Sequence, residues 1–277
     1  MDPLVSTEWL ARELGMPDMV VFDCTYYLPT ENKDAPALFR QARIPGARFF
    51  DIGEVADPET ALPHMVPTPG RFASLMARLG VSNGSRVVFY DQKGLQSAAR
   101  GWWMMGLFGH DAAAVLDGGL PKWLLEGREV EAGEPGAATV GTFEPRFRAA
   151  RLRGLGDMMA ADSDRVVLDA RAAARFQGTA PEPRPGLPSG HMPGSVSLPS
   201  TSLLAPDGTM LPPARLRALF AEAGVDGSRP VVTSCGTGVT ATILSLGLVQ
   251  AGLPQGAVYD GSWTEWASRA DTIKEKT

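Results

Sequence analysis

The sequence predicts an α/β protein made of two tandem copies of one domain, each a mainly parallel sheet flanked by helices. Three observations carry this. Short apolar strands alternate with helical patterns along the chain, as a parallel sheet covered by helices requires. Four segments of the first half recur, in order, in the second. And 277 residues, 44% of them hydrophobic, suffice for two cores.

The recurrences set the architecture. Val20-Val21-Phe22-Asp23 returns as Val166-Val167-Leu168-Asp169, and Arg43-Ile44-Pro45-Gly46-Ala47 returns as His191-Met192-Pro193-Gly194-Ser195. The strand closing at Asp91 returns as the one closing at Cys235, and Asp117-Gly118-Gly119 with Trp123 returns as Asp260-Gly261-Ser262 with Trp266. The offsets are 146, 148, 144 and 143 residues, so order and spacing hold throughout.

Taken in order, Ser6 or Thr7 caps a first helix, with Glu8 following. In the first half, Arg71–Gly80 reads as a helix, Arg86–Asp91 as a strand and Ser97–Gly109 as a buried helix holding Trp102 and Trp103. In the second, the helix Pro213–Gly224 ends at a glycine and leads to the Cys235 strand. The Gly-, Pro- and Glu-rich stretch Gly127–Gly154 reads as the connection. We place the domains at 1–135 and 151–277, with a linker at 136–150.

Composition narrows the function. Net charge is −5 with mixed signs, so no nucleic-acid surface is expected. The N-terminus has no basic segment followed by an apolar run, so neither a signal peptide nor a membrane span is expected there. Two distant cysteines, Cys24 and Cys235, form no disulfide framework, and three scattered histidines suggest no metal site. A reactive thiol fits the reducing cytoplasm.

The chemistry centres on Pro230-Val231-Val232-Thr233-Ser234-Cys235-Gly236-Thr237-Gly238-Val239-Thr240-Ala241. A buried strand runs into the cysteine, and a buried helix follows the loop. Gly236 and Gly238 let the loop curl so that its amides face the sulfur, beside a helix N-terminus that favours an anion. Such a setting moves a thiol from about 8.5 to roughly 3.5–7.5, which makes Cys235 an expected thiolate nucleophile. A lone cysteine at a strand end is otherwise a packing residue, which is how Cys24 reads.

The loop resembles that of the rhodanese superfamily, in particular the C-G-[S/A]-G-V-T pattern of 3-mercaptopyruvate sulfurtransferases, with Thr237 where Ser or Ala is usual. The repeated D-G-G/S and I/M-P-G segments resemble that superfamily's flanking signatures, and Asp91 in the cysteine's place marks an inactive first copy. The resemblance implies sulfur transfer from 3-mercaptopyruvate, through a Cys235 persulfide, to a thiol such as thioredoxin or a small thiol, or to cyanide, without a cofactor.

It also implies site residues. Arg175 and Arg184 match the arginines of an R-F-x-G-T-x-P-E-P-R substrate loop, and the loop residues Gly236, Gly238, Val239 and Thr240 complete the binding site. Without the resemblance, those arginines are equally a solvated surface. His64 matches a histidine that faces the active loop in a Ser-His-Asp relay, with Thr237 supplying the hydroxyl. The relay's acid would stand at position 53, which is Gly53, leaving Asp51 and Glu54 as substitutes. A working relay would bend the pH profile near the ordinary histidine pKa, about 6.5. His191 reads as structural, and Trp263 and Trp266 as packing, with Trp263 placed to edge the pocket.

Three alternatives stand beside this. Thiosulfate is a second donor, although its double charge suits a basic loop better than Gly236-Thr237. A cysteine phosphatase needs C-x5-R, and the arginine's place holds Ala241. A non-catalytic persulfide carrier would keep Cys235 without turnover.

Overall fold

The first half builds a sheet from β1 (Leu4–Val5), β2 (Met19–Asp23), β3 (Arg48–Phe49), β4 (Arg86–Tyr90) and β5 (Ala113–Leu116). The second builds one from β6 (Leu152–Arg153), β7 (Val166–Asp169), β8 (Val196–Ser197), β9 (Val231–Ser234) and β10 (Ala257–Tyr259). This is a computed structural model, and it describes residues 1–160 and 164–277. Val87, Val88 and Phe89 are all buried, as strands covered on both faces require.

The two sheets share one topology. Their orders are β1-β5-β4-β2-β3 and β6-β10-β9-β7-β8, and every pair is parallel. The register repeats too: Val20 faces Val87 across β2 and β4, and Val166 faces Val231 across β7 and β9. The paired I/M-P-G turns are anchored alike, Arg43 bridging to Glu131 and His191 to Glu275. In each sheet the chain reverses direction between the second strand and the central one. That switch point is where ligands bind such sheets, at the carboxyl ends of the strands. Asp91 and Cys235 stand there, one residue past β4 and β9.

Ser6 caps the helix Thr7–Glu13, its hydroxyl accepting from Trp9 N at 3.1 Å. Helix Ala98–Leu107 is buried along its whole length, as is Ala241–Gln250 through Leu248. Helices apolar all round belong inside a protein. These two pack against each other across the halves, and one continuous apolar cluster runs from Phe22 and Trp103 to Leu244 and Val258.

The connecting stretch differs from a loose tether. It forms no named helix or strand between Leu125 and Ala149, yet it is bonded to the first half. Gly141 N donates to Ala77 O at 2.8 Å and Arg146 N to Phe108 O at 2.7 Å. Phe143 is buried edge-on against Phe72, with ring centroids 5.7 Å apart.

Candidate active site

β9 carries the chain up through the core to Cys235, and helix Ala241–Gln250 carries it back. The turn between them depends on Gly238 at φ +75°, where a Cβ would lie 2.9 Å from Asp260 O and 3.1 Å from an Arg100 nitrogen. Only glycine fits that approach.

Helix Ser262–Ser268 holds the loop's carbonyls. Cys235 O accepts from Trp263 N at 2.9 Å, and Gly236 O accepts from Thr264 N at 3.0 Å and Thr264 Oγ1 at 2.7 Å. Among the described residues, the amides of Gly236 through Ala241 donate to no acceptor. A run of unsatisfied N–H groups at a helix N-terminus is a site for an anion.

Cys235, Gly236, Thr237, Val239 and Thr240 line a cavity of about 90 Å³. Arg175 and Arg184 form its second-half wall, and Tyr26, Lys93 and Gln96 belong to its first-half wall. The structure thus gathers Cys235, Thr237, Arg175 and Arg184 with Gly236, Val239 and Thr240. Gly238 is not in the lining; its carbonyl turns away to accept from Arg100 Nη1 at 3.1 Å.

Each arginine is held. Arg175 donates to Glu182 through Nε at 3.2 Å and Nη2 at 2.5 Å. Glu182 also accepts from the fully buried Arg171 at 2.9 Å, and Arg171 pairs with Asp169 at 2.6 Å. Arg184 Nη2 donates to the Tyr26 hydroxyl at 3.0 Å. Trp263 is fully buried under Arg171, 4.4 Å from its guanidinium, and does not edge the cavity as the sequence reading expects. It is held inside because its indole N–H reaches Pro188 O at 2.9 Å.

His64 reaches across from the first half, with Nδ1 2.9 Å from Thr237 Oγ1. It is 8% exposed and sits at φ +63°, an uncommon conformation for a residue with a side chain. Burial, then the charges of Arg100 and Arg184, push its pKa down to about 3. Held that low, His64 would titrate well below the bend expected near 6.5. Among the described residues, neither substitute acid bonds His64. Asp51 caps the turn Ile52–Val55, accepting from Gly53 N at 2.8 Å and Glu54 N at 3.2 Å, and Glu54 is exposed.

The acid the sequence reading missed as a site residue is Asp260. It accepts from Val66 N at 2.6 Å and from Arg100 Nη2 at 2.9 Å, and Arg100 also donates to His64 O at 2.6 Å. This buried cross-half pair holds both loops that meet at Thr237. Arg100 had a signal: it is the one charged residue of the helix Ala98–Leu107. Tyr26 and Lys93 had none, since only the fold brings them to Cys235.

The remaining nucleophiles and ligands lie elsewhere. Cys24 is fully buried with its thiol toward Ser97 O at 3.7 Å, and burial pushes that thiol well above the ordinary range. His191 stacks on Phe176 at 4.0 Å and bonds Phe176 O at 2.9 Å, a packed position. Among the described residues, no group of three His, Cys, Asp or Glu side chains could hold a metal ion.

Comparison with known proteins places this geometry. The model of the rhodanese-like domain matches twice, at residues 6–126 and 154–269. The chain is 40% identical to thiosulfate/3-mercaptopyruvate sulfurtransferase 1, mitochondrial, of Arabidopsis thaliana, covering 98% of this chain and 77% of the relative. It is 41% identical to human 3-mercaptopyruvate sulfurtransferase, covering 98% and 95%. The crystal structure of SseA from Escherichia coli, described as a 3-mercaptopyruvate sulfotransferase, superposes with a TM-score of 0.86 at 33% identity, covering 95% and 99%. With two matched domains, one sheet topology used twice and a cysteine at the second switch point, the chain belongs to the rhodanese family.

Proposed function

We propose that this chain is a sulfurtransferase that takes sulfur from 3-mercaptopyruvate. The observation that carries the reading is the cavity itself, where Cys235 lies beside unsatisfied loop amides and between two arginines. Relatives covered over nine-tenths of their length are named for that donor or for thiosulfate.

The Cys235 thiolate attacks the donor's sulfur. The carbon–sulfur bond breaks, its electron pair leaves as the enolate of pyruvate, and the enolate is protonated. Cys235 keeps the sulfur as a persulfide, and an acceptor thiol or cyanide then takes the outer sulfur, restoring the thiolate. The loop amides stabilise the anion before and after transfer. Arg184 and Arg175 hold the donor's carboxylate and carbonyl, the planar groups a guanidinium fork matches. Thr237 lines the cavity and its hydroxyl meets His64 as a neutral partner, so the pair orients a hydroxyl rather than storing a proton. Residues 151–277 carry the chemistry, and residues 1–135 close the cavity with Tyr26, Lys93 and Gln96, while His64 braces Thr237 from behind the lining.

A thiol such as thioredoxin is the acceptor we favour, in a reducing compartment that keeps Cys24 and Cys235 free. The Arabidopsis relative is mitochondrial by name, so a reducing compartment is proposed rather than the cytoplasm alone. No helix among the described residues is long and apolar enough to cross a membrane.

Thiosulfate is the second reading, since Lys93 in the cavity wall is a cation the loop lacks, although Glu31 pairs with it at 2.8 Å. Measuring kcat/KM for both donors with cyanide as acceptor separates them. Preference for 3-mercaptopyruvate supports the proposal, and equal or better use of thiosulfate overturns it.

A further inference from the structure

Three cations line the cavity, and their partners differ. Arg175 is paired with Glu182, which also pairs with Arg171, itself paired with Asp169; these four groups sum to zero charge. Lys93 Nζ lies 2.8 and 3.0 Å from the two carboxylate oxygens of Glu31, a second neutral pair. Arg184 meets the Tyr26 hydroxyl and, among the described residues, no carboxylate. One uncompensated positive charge therefore faces the cavity.

We infer that Glu31 is a specificity-determining residue, which neutralises Lys93 and so favours a singly charged carboxylate donor over a doubly charged one. This rests on the sulfurtransferase reading above. Glu31 is fixed in position by its own backbone, since it ends the short turn Pro29–Glu31 and its carboxylate also accepts from Leu28 N at 2.7 Å. Lys93 is fixed beside it over the Tyr27 ring, 5.3 Å from the centroid. Lys33 stacks on the same ring at 5.1 Å but does not line the cavity.

The physics makes the effect depend on donor charge. Coulomb attraction scales with the ligand's charge, so a cation freed at the wall favours a dianion by twice the free energy it adds for a monoanion. The gain in binding for thiosulfate is then the square of the gain for 3-mercaptopyruvate. Both side chains of the pair are about a quarter exposed, so water keeps the effect modest.

The test is kcat/KM for both donors in the parent, Glu31→Gln and Glu31→Gln/Lys93→Gln, with cyanide as common acceptor. Glutamine retains an oxygen for Leu28 N, and Glu31→Ala serves as a second neutral variant should Glu31→Gln fold poorly. Either neutral variant is expected to gain about threefold with 3-mercaptopyruvate and about tenfold with thiosulfate. The double variant is expected to lose both gains, and added salt to shrink them. An unchanged donor ratio in the neutral variants, or a gain that survives Lys93→Gln, overturns the inference while leaving the sulfurtransferase reading intact. A parent enzyme that does not turn over 3-mercaptopyruvate overturns the reading beneath it.

Discussion

The loops after β4 and β9 occupy the same place in the same sheet and do opposite things with their amides. After β4, the Asp91 carboxylate accepts from Lys93, Gln96, Ser97 and Ala98 N at 2.9, 2.7, 2.8 and 2.9 Å. After β9, the amides of Thr237, Thr240 and Ala241, the counterparts of Lys93, Gln96 and Ser97, donate to nothing in the described chain, and Cys235 stands where Asp91 does. The backbone carbonyls are pinned alike, Asp91 O by Leu120 N at 3.0 Å and Cys235 O by Trp263 N at 2.9 Å. The first half thus shows what this loop is shaped to hold, a negative charge at the strand's end. The second half leaves that place to a sulfur that can carry one.

The comparison can be broken most severely at its centre. Cys235→Ser is expected to cut sulfur transfer by roughly 10³-fold or more, measured as thiocyanate formation, since a hydroxyl does not replace a thiolate. Cys24→Ser is expected to keep most activity, because that buried thiol sits behind Ser97 and does not itself line the cavity. Removing a wall cation comes next. Arg184→Ala is expected to lower kcat/KM for 3-mercaptopyruvate by about 10²-fold, the loss that accompanies a misplaced reactant.

The first-half anchor sharpens the contrast through stability. Asp91→Ala strips the acceptor from four amides and is expected to cost about 3 kcal/mol in chemical denaturation. Sulfate should then raise the melting temperature of that variant more than the parent's, because the emptied amides take up an anion. No such difference would mean the first loop is not an anion cradle.

Among the site residues, the smallest loss of activity is expected at His64. His64→Ala is expected to slow turnover by about tenfold, with no bend in the parent's profile near pH 6.5. Its folded pKa, about 3, lies below the ordinary 6.5, so the unfolded chain binds the extra proton between those values. Stability from this group is present above pH 6.5 and is lost as pH falls toward 3. Asp23 acts in the opposite sense. Burial raises its pKa to about 6, so its charge burdens the fold above that pH and the burden lifts as pH falls toward 3.8. Urea melts of His64→Gln and Asp23→Asn against the parent at pH 5 and 7.5 separate the two.

Much of this was legible in the sequence because repetition is legible. The recurrence of Val20–Asp23 as Val166–Asp169 carries the shared register, and Gly236 and Gly238 around Cys235 mark a loop closed on its own amides. Arg175 and Arg184 could be named because their run resembles the R-F-x-G-T-x-P-E-P-R substrate loop, not from their position alone. What escaped the sequence is contact between halves. Nothing near Tyr26 or Lys93 in the chain points to Cys235, and Asp260 reads as part of a turn signature until Arg100 meets it across the interface at 2.9 Å. The titration of His64 escaped for the same reason, since its desolvation and neighbouring arginines belong to the assembled interface.

The most direct measurement of the central claim is peptide mapping by mass spectrometry after one exposure to 3-mercaptopyruvate without acceptor. The loop comparison predicts the added mass of a single sulfur atom on the peptide bearing Cys235, lost when cyanide is added, and none on the peptide bearing Cys24. Sulfur found on Cys24, or an unmodified Cys235 in protein that is turning over, would contradict it.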